Sequence, residues 1–180
     1  VNVAVMGPVI DALKAGKPAR VAAPDAANKD AAKAYKMLQL LTAKPVLYVC
    51  NVDEDSAASG NAFSEKVFEK AKAEGASAVI ISAAIESEVA QLESEDEKKE
   101  FLSALGLEET GLSKIIRAGY DLLGLQTYFT AGPKEVRAWT FIKGSKAPQC
   151  AGIIHSDFER GFIRAETIAY DDFVKFGGEQ

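Results

Sequence analysis

The stretch that decides the fold runs from Val46 to Ala84 and reads VLYVCNVDEDSAASGNAFSEKVFEKAKAEGASAVIISAA. It opens on a continuous apolar run, VLYVC, and a second such run, SAVIIS, begins at Ser77. Runs that are apolar on both faces favour buried parallel strands over half-exposed antiparallel ones. Between them, Asn61 is a suitable cap for the start of a helix and Gly75 a suitable end. The stretch therefore predicts a βαβ unit, in which a helix joins two parallel strands.

Helical patterns flank this unit on both sides. The residues up to 44 predict helices, the first of which runs from Pro8 to Ala15 and is ended by Gly16 and Pro18. In the second, one face is formed by Ala27, Ala31, Ala34, Leu38 and Leu41. We expect this alanine-rich face to pack closely on a neighbouring helix, either in this chain or outside it. The helix predicted between the strands carries its own apolar face, Phe63, Val67 and Ala71.

Two more helical segments follow the second strand. The first, residues 86–106, is highly charged and predicts a solvated helix face to which we assign no function. The second is predicted over Leu112 to Leu123 and ends at Gly124. Its apolar residues, which we expect to be buried, are Leu112, Ile115, Ile116, Leu122 and Leu123.

The remainder of the chain has a different pattern. The segments LQTYFTAG and EVRAWTFIKG are strand-like, and the Gly-Pro-Lys at 132–134 between them predicts a hairpin. HSDFERGF predicts a short helix capped by Ser156, and IRAETIAY, residues 163–170, predicts a third strand. Strands beside one short helix indicate a small α+β unit, with its boundary near Gly124.

Composition excludes several classes of function. The chain has 180 residues, a net charge of -5, one histidine and two cysteines, Cys50 and Cys150. No apolar run approaches the roughly 20 residues that span a bilayer, which predicts a soluble intracellular protein without a membrane partner. The acidic balance argues against broad nucleic-acid binding, and no DNA partner is expected, although a local basic face stays open. We predict reduced structural cysteines, no metal site and no catalytic residue.

Two loops leave the carboxyl ends of the predicted parallel strands, where ligands bind in such sheets. The first is Asn51-Val52-Asp53-Glu54 and the second is Ser82-Ala83-Ala84. The amide of Asn51 offers a donor and an acceptor, which match the edge of adenine, and Glu54 adds a carboxylate. The alternative is an ordinary turn, because Asn and Asp are common turn residues after a strand.

Three segments together resemble the Obg-like ATPases, the YchF family of P-loop proteins. They are KPVLYVCNVDE at 44–54, ISAAIE at 81–86 and GLQTYFTAGPKEVRAWTFIKGSKAPQCAGIIHSDFERGFIRAETIAYDDF at 124–173. The resemblance implies a nucleotide-binding domain with a helical insertion, followed by a ubiquitin-like (β-grasp) TGS domain. In this chain the end of the insertion would be residues 1–44. The C-terminal part of the nucleotide domain would be 45–124, and a truncated TGS domain would be 125–180.

The resemblance also implies how the base is read. Relatives that read guanine carry Asn-Lys-x-Asp, whereas this family carries Asn-x-x-Glu and prefers ATP, a pattern that residues 51–54 match. Aspartate at the fourth place accepts from guanine N1–H and N2–H, whereas the longer glutamate no longer presents its carboxylate there. Val52 also removes the lysine stem. Ser82, Ala83 and Ala84 would form the second base-contacting loop.

No G-x-x-x-x-G-K-[ST] motif, which would cradle phosphates and bind Mg²⁺ through its hydroxyl, occurs in the sequence. The ligands of Mg²⁺ and of the ATP phosphates would therefore lie outside this chain, which we expect to be inactive alone. By resemblance, the intact protein would be a cytoplasmic, ribosome-associated ATPase linked to redox or stress responses.

The resemblance to TGS domains implies contact with RNA or the ribosome. The candidate contact residues are Lys134, Arg137, His155, Arg160 and Arg164. Tyr128, Trp139 and Phe141 could stack on bases, although alternation along a strand favours partial burial in a core. The rival hypothesis is therefore an RNA- or ribosome-binding module without enzymatic activity, and a third is a scaffold with neither activity.

Overall fold

The computed structural model describes residues 2–178, which form two compact units divided between Leu123 and Gly124. The helices are α1 (Asn2–Lys14), α2 (Lys29–Met37), α3 (Ala62–Glu74), α4 (Ala83–Val89), α5 (Glu95–Ala104), α6 (Gly111–Leu123), α7 (Ala147–Ile154), α8 (Ser156–Arg160) and α9 (Tyr170–Phe176). The strands are β1 (Leu47–Asn51), β2 (Ser77–Ile81), β3 (Leu125–Ala131) and β4 (Val136–Ile142). Mixed α/β architecture, with one parallel and one antiparallel strand pair, is confirmed.

The predicted βαβ unit is present. Strands β1 and β2 pair in parallel, from Leu47 opposite Ser77 to Asn51 opposite Ile81, and α3 connects them. Asn61 caps α3 through a capping box, in which its side chain accepts from the Ser64 N–H while the Ser64 hydroxyl accepts from the Asn61 N–H. Gly75 ends α3 in the left-handed conformation, as its position after the last helical turn predicts.

The alanine-rich face packs within the chain. Ala31 and Ala34 of α2 are buried with Val5 of α1, so the neighbouring helix is α1. The helix is shorter than predicted: Ala27, Leu38 and Leu41 lie outside it. A second buried cluster, Ala57, Ile85, Val89 and Leu102, lies in the α/β part of the unit.

The apolar faces of α3 and α6 are only partly buried, and the burial predicted for α6 is wrong for three residues. Phe63 is 77% exposed, because the capping box turns Ser64 inward and leaves Ser64 and Ala71 as the buried face of α3. On α6, three of the five apolar residues are exposed: Leu112, Ile116 and Leu123. The described part of the chain therefore covers only part of the apolar face of α6.

The charged segment after β2 was predicted as one helix, but the structure has two helices there. It forms α4 and α5, and the second of these begins at a capping box between Ser94 and Glu97. A serine followed three residues later by glutamate is the usual signature of a new helix start.

In the second unit, β3 and β4 form the predicted antiparallel hairpin, closed by residues 132–135. The third strand predicted at 163–170 is wrong: residues 162–169 have no regular structure, and α9 begins at Tyr170. An apolar-polar alternation produces a strand only where another backbone edge is available for pairing. No described strand pairs with this segment.

The helical part of the second unit also differs from the prediction. Helix α7 was not predicted. Ser156 is not the cap of α8, because that position belongs to His155, whose Nδ1 accepts from the Asp157 N–H at 3.3 Å. None of the described helices is both long and apolar enough to cross a membrane.

Candidate functional site

The carboxyl ends of β1 and β2 lie side by side, which brings the two predicted loops together. Asn51 and Ile81 form the last paired position of the two strands. The Val52 N–H then donates to the Ile81 carbonyl at 2.9 Å, so the pairing continues into the first loop. The candidate site therefore consists of two adjacent loops at the carboxyl ends of one pair of parallel strands.

Asn51 connects the two loops directly. Its side-chain Oδ1 accepts from the backbone N–H of Ala83 at 2.9 Å. Because a backbone N–H can only donate, this bond identifies which end of the Asn51 amide is oxygen. The amide nitrogen, with two donors, and the second lone pair of Oδ1 stay available to a ligand.

The two acidic residues after Asn51 do different things. Asp53 makes a turn, since its carboxylate accepts from the Ser56 N–H at 3.1 Å and caps a short 3-10 helix over Glu54–Ser56. Glu54 is exposed, and within residues 2–178 its side chain has no hydrogen-bond or ion-pair partner. The sequence left two hypotheses for this loop, an ordinary turn and a binding site, and each fits a different residue. Asp53 shapes the turn, whereas Glu54 keeps a carboxylate that is available for binding.

The second loop is less accessible than the sequence suggests. Ser82 is only 3% exposed, and its hydroxyl is buried without a hydrogen-bond partner among the described residues. Ala83 and Ala84 are exposed at the start of α4, where Ala83 already binds Asn51. In this arrangement Ser82 does not reach the surface, whereas Ala83 positions the Asn51 amide.

Glu86 holds α6 at the back of the second loop, a role that sequence reasoning missed. Its two carboxylate oxygens accept from the first two N–H groups of α6, Gly111 at 2.6 Å and Leu112 at 3.2 Å. The signal in the sequence is weak, because a carboxylate 25 residues before a helix start gives no local pattern. The contact fixes where α6 begins relative to α4.

Two cavities of this unit lie away from the loops. One, of about 370 Å³, is lined by β2 and α6, and another, of about 530 Å³, lies between α1 and α2. Neither is lined by Asn51, Glu54 or Ser82. Among the described residues, no group of three or more His, Cys, Asp or Glu could hold a metal ion.

The candidate RNA-contact residues of the second unit are exposed but dispersed over different elements. Lys134 is in the hairpin connection, Arg137 is on β4, His155 caps α8, Arg160 ends α8, and Arg164 is in the irregular segment.

Arg137 has an aromatic partner with which it could form a stacking platform. Its guanidinium lies 4.1 Å from the ring centre of Trp139. The Trp139 indole N–H donates to Thr130 at 2.9 Å. Tyr128, Trp139 and Phe141 share one half-buried face of the hairpin, where Tyr128 and Phe141 are in ring contact.

The class of protein follows from comparison with known families and structures. Residues 125–180 match the family YchF-GTPase_C, described as "Protein of unknown function (DUF933)". A solved structure, that of the Schizosaccharomyces pombe YchF GTPase, matches 98% of this chain and 46% of its own with a TM-score of 0.79 and 35% identity.

Curated relatives extend this resemblance over most of the chain. The chain is 54% identical over 176 residues to the ribosome-binding ATPase YchF of Bacillus subtilis, covering 97% of this chain and 47% of the relative. It is 57% identical over 152 residues to the protein of the same name from Pasteurella multocida, covering 84% and 41%. The resemblance to the YchF family is therefore confirmed, and the chain spans about half the length of the curated relatives it matches.

Proposed function

We propose that this chain carries the base-recognition part of a cytoplasmic, ribosome-associated ATP-binding protein. The observation that supports this most directly is the hydrogen bond from Ala83 to Asn51, which joins two loops at the carboxyl ends of parallel strands. Ligands of open α/β sheets bind at this edge. The other parts of the proposal, namely ribosome binding, ATP binding and ATP hydrolysis, rest on the names of the curated relatives.

Within the proposal, the parts of the chain have separate roles. Residues 1–44 are the end of a helical insertion, 45–124 the C-terminal part of a P-loop nucleotide domain, and 125–180 a truncated TGS domain. The parallel strand pair supports the second assignment, and the hairpin with its following helices supports the third. Mg²⁺ and the ATP phosphates are bound outside these residues, and we assign them no step here.

The residues at the paired loops fit the chemistry of adenine. Its exposed edge presents the N7 acceptor and the N6 amino donor. The Asn51 amide nitrogen donates to the first, and the free lone pair of its oxygen or the Glu54 carboxylate accepts from the second. Val52 offers no charge beside the base. Ala83 keeps the Asn51 side chain oriented, and Ala84 lets the second loop approach closely.

Replacing Asn51 by alanine tests the proposal in the full-length protein. We expect affinity for a fluorescent ATP analogue to fall by about tenfold, since one hydrogen-bonding group to the base is lost and about 1.4 kcal/mol corresponds to that factor. The measurement is a fluorescence titration. Asn28→Ala is the matched control, because it removes the same amide from the cap of α2, away from the site. Equal affinities of Asn51→Ala and the control would rule out base contact by Asn51.

The second candidate function is an RNA- or ribosome-binding module without enzymatic activity. The observation that favours it is the Arg137 guanidinium stacked on Trp139, because arginine planes and aromatic rings are the surfaces on which RNA bases stack. In this hypothesis the α/β unit is a support, and the hairpin makes the contact.

Co-sedimentation with Bacillus subtilis ribosomes tests this second function. Arg137→Ala is expected to weaken ribosome binding several-fold, because a stacking contact is worth about 1–3 kcal/mol. Arg117→Ala is the control, since Arg117 is also an exposed arginine but lies on α6. Equal sedimentation of both variants with the ribosome would exclude Arg137 from the contact.

A further inference from the structure

The helical residues 2–43 have a core of their own. Val5, Ala31 and Ala34 form its buried cluster, which shares no residue with the cluster of the α/β part. The segment is also closed on itself, since the Ala19 N–H donates to the Thr42 hydroxyl at 3.1 Å. It therefore has internal packing that does not depend on the buried cluster of the α/β part.

A polar contact joins this segment to the α/β part. The Arg20 guanidinium pairs with Oε2 of Glu74, the last residue of α3, at 2.5 Å. The Tyr48 hydroxyl, on β1, donates to the same oxygen at 2.9 Å. The Arg20 and Glu74 side chains are 16% and 21% exposed, so the pair is largely shielded from water.

The same region contains unsatisfied groups. Arg20 Nε and the Tyr35 hydroxyl are buried and, among the described residues, have no hydrogen-bond partner. Tyr35 packs against the cluster of the helical segment itself, whereas Arg20 reaches the α/β part. The unpaired Arg20 Nε therefore opposes the docked arrangement, because burial removes its water without replacing it. An attachment made by an ion pair and weakened by an unpaired group is easier to open than an apolar interface.

We infer that residues 2–43 form an arm that pivots on the connection 44–46 and is latched to the α/β part by Arg20 and Glu74. The connection itself is extended, with Lys44 leaving the last 3-10 turn at ψ 144° and Pro45 following it. Because Tyr48 binds the same carboxylate, the latch also contacts β1, the strand that ends at Asn51. Opening the arm therefore removes Arg20 from Glu74, the residue that also binds the strand carrying the base site.

The latch is charged at neutral pH. Hydrogen bonds from Tyr48 and then Arg20 hold the pKa of the Glu74 carboxyl below its ordinary value, and Lys70 acts in the same direction. Loss of charge through acidification is therefore expected only below the ordinary range of a glutamate. At neutral pH the ion pair is therefore best broken by a substitution that removes the charge of Arg20.

Distance measurements between spin labels on the arm and on the α/β part test this inference. Labels at Lys33→Cys and Glu69→Cys, both exposed, report the position of the arm in a background of Cys50→Ala and Cys150→Ala. With the latch intact we expect one narrow distance distribution. Arg20→Ala is expected to broaden it, and the exchanged pair Arg20→Glu with Glu74→Arg is expected to narrow it again.

The control is a second ion pair in the same unit, and the same distance measurement can contradict the inference. Arg117→Ala breaks the ion pair with Glu109, at 2.9 Å in the same unit, and should leave the distribution narrow. An unchanged narrow distribution in Arg20→Ala would overturn the inference. A loss of helical circular dichroism in Arg20→Ala would also overturn it, because the arm would then depend on docking for its folding.

Discussion

Replacing Val52 by lysine and Glu54 by aspartate in the full-length protein is expected to shift nucleotide preference from ATP toward GTP by about 100-fold. The prediction rests on the proposed base site. Aspartate at position 54 restores an acceptor for guanine N1–H and N2–H, and lysine at 52 restores the stem beside the base. A site whose buried polar groups match one base discriminates strongly against the other, because mismatched groups are left unpaired.

The structure makes this double substitution a clean experiment. Glu54 has no partner among residues 2–178, and the turn is shaped by Asp53, so changing residue 54 leaves the loop hydrogen bond intact. Displacement of a bound fluorescent analogue by ATP and, separately, by GTP gives the two affinities, and their ratio is the nucleotide preference. Glu65→Asp, the same shortening on the exposed first turn of α3, is the control. An unchanged ATP preference in the double variant would contradict base reading by residues 52 and 54.

This measurement also bears on a difference between the related proteins. The curated relatives are named ATPases, whereas the matching solved structure is titled a GTPase. Our proposal, that this chain prefers ATP, depends on the glutamate at 54 and the valine at 52. The ratio of ATP to GTP affinity in the unaltered full-length protein is thus the first value to obtain.

Replacing Gly60 by alanine is expected to lower the free energy of unfolding by about 2–4 kcal/mol, the sum of backbone strain and overpacking. Gly60 has φ +79°, a conformation that costs a residue with a side chain. An added Cβ would also lie 2.6 Å from the Ser64 hydroxyl oxygen and 2.8 Å from Cδ1 of Ile80. Ser64 cannot move freely, because it closes the capping box of α3.

Urea unfolding of the variant beside Gly75→Ala separates the two terms. Gly75 has φ +65°, but a Cβ there would meet nothing within 4 Å. Its substitution should cost only the strain, about 1–2 kcal/mol. Equal losses for the two variants would show that Ser64 and Ile80 yield at no cost, and the packing part of the prediction would then be wrong.

Much of the first unit could be predicted from local patterns. The two apolar runs, the Asn61 cap and the Gly75 end are features within one segment, and each acts through its own backbone. The structure confirms them all. The hairpin of the second unit is equally local, because the turn sets the register of both strands.

The predictions that were wrong depended on contacts with residues distant in sequence. The segment at 163–170 has the composition of a strand but finds no described strand to pair with, and it stays irregular. Likewise, α6 carries an apolar face, but Leu112, Ile116 and Leu123 on it are exposed in the described part of the chain. Composition reports what a segment can bury, whereas the neighbours decide what it does bury.

The sequence by itself determined the βαβ unit, the β3–β4 hairpin and the positions of Asn51 and Glu54 at a strand end. These follow from side-chain period, caps and turns, which act over a few residues. Only the tertiary structure decided that Ala83 orients the Asn51 amide, that Ser82 is buried, and that Glu74 receives both Arg20 and Tyr48. Such contacts join residues up to 54 positions apart, and their geometry depends on how the strands and helices pack.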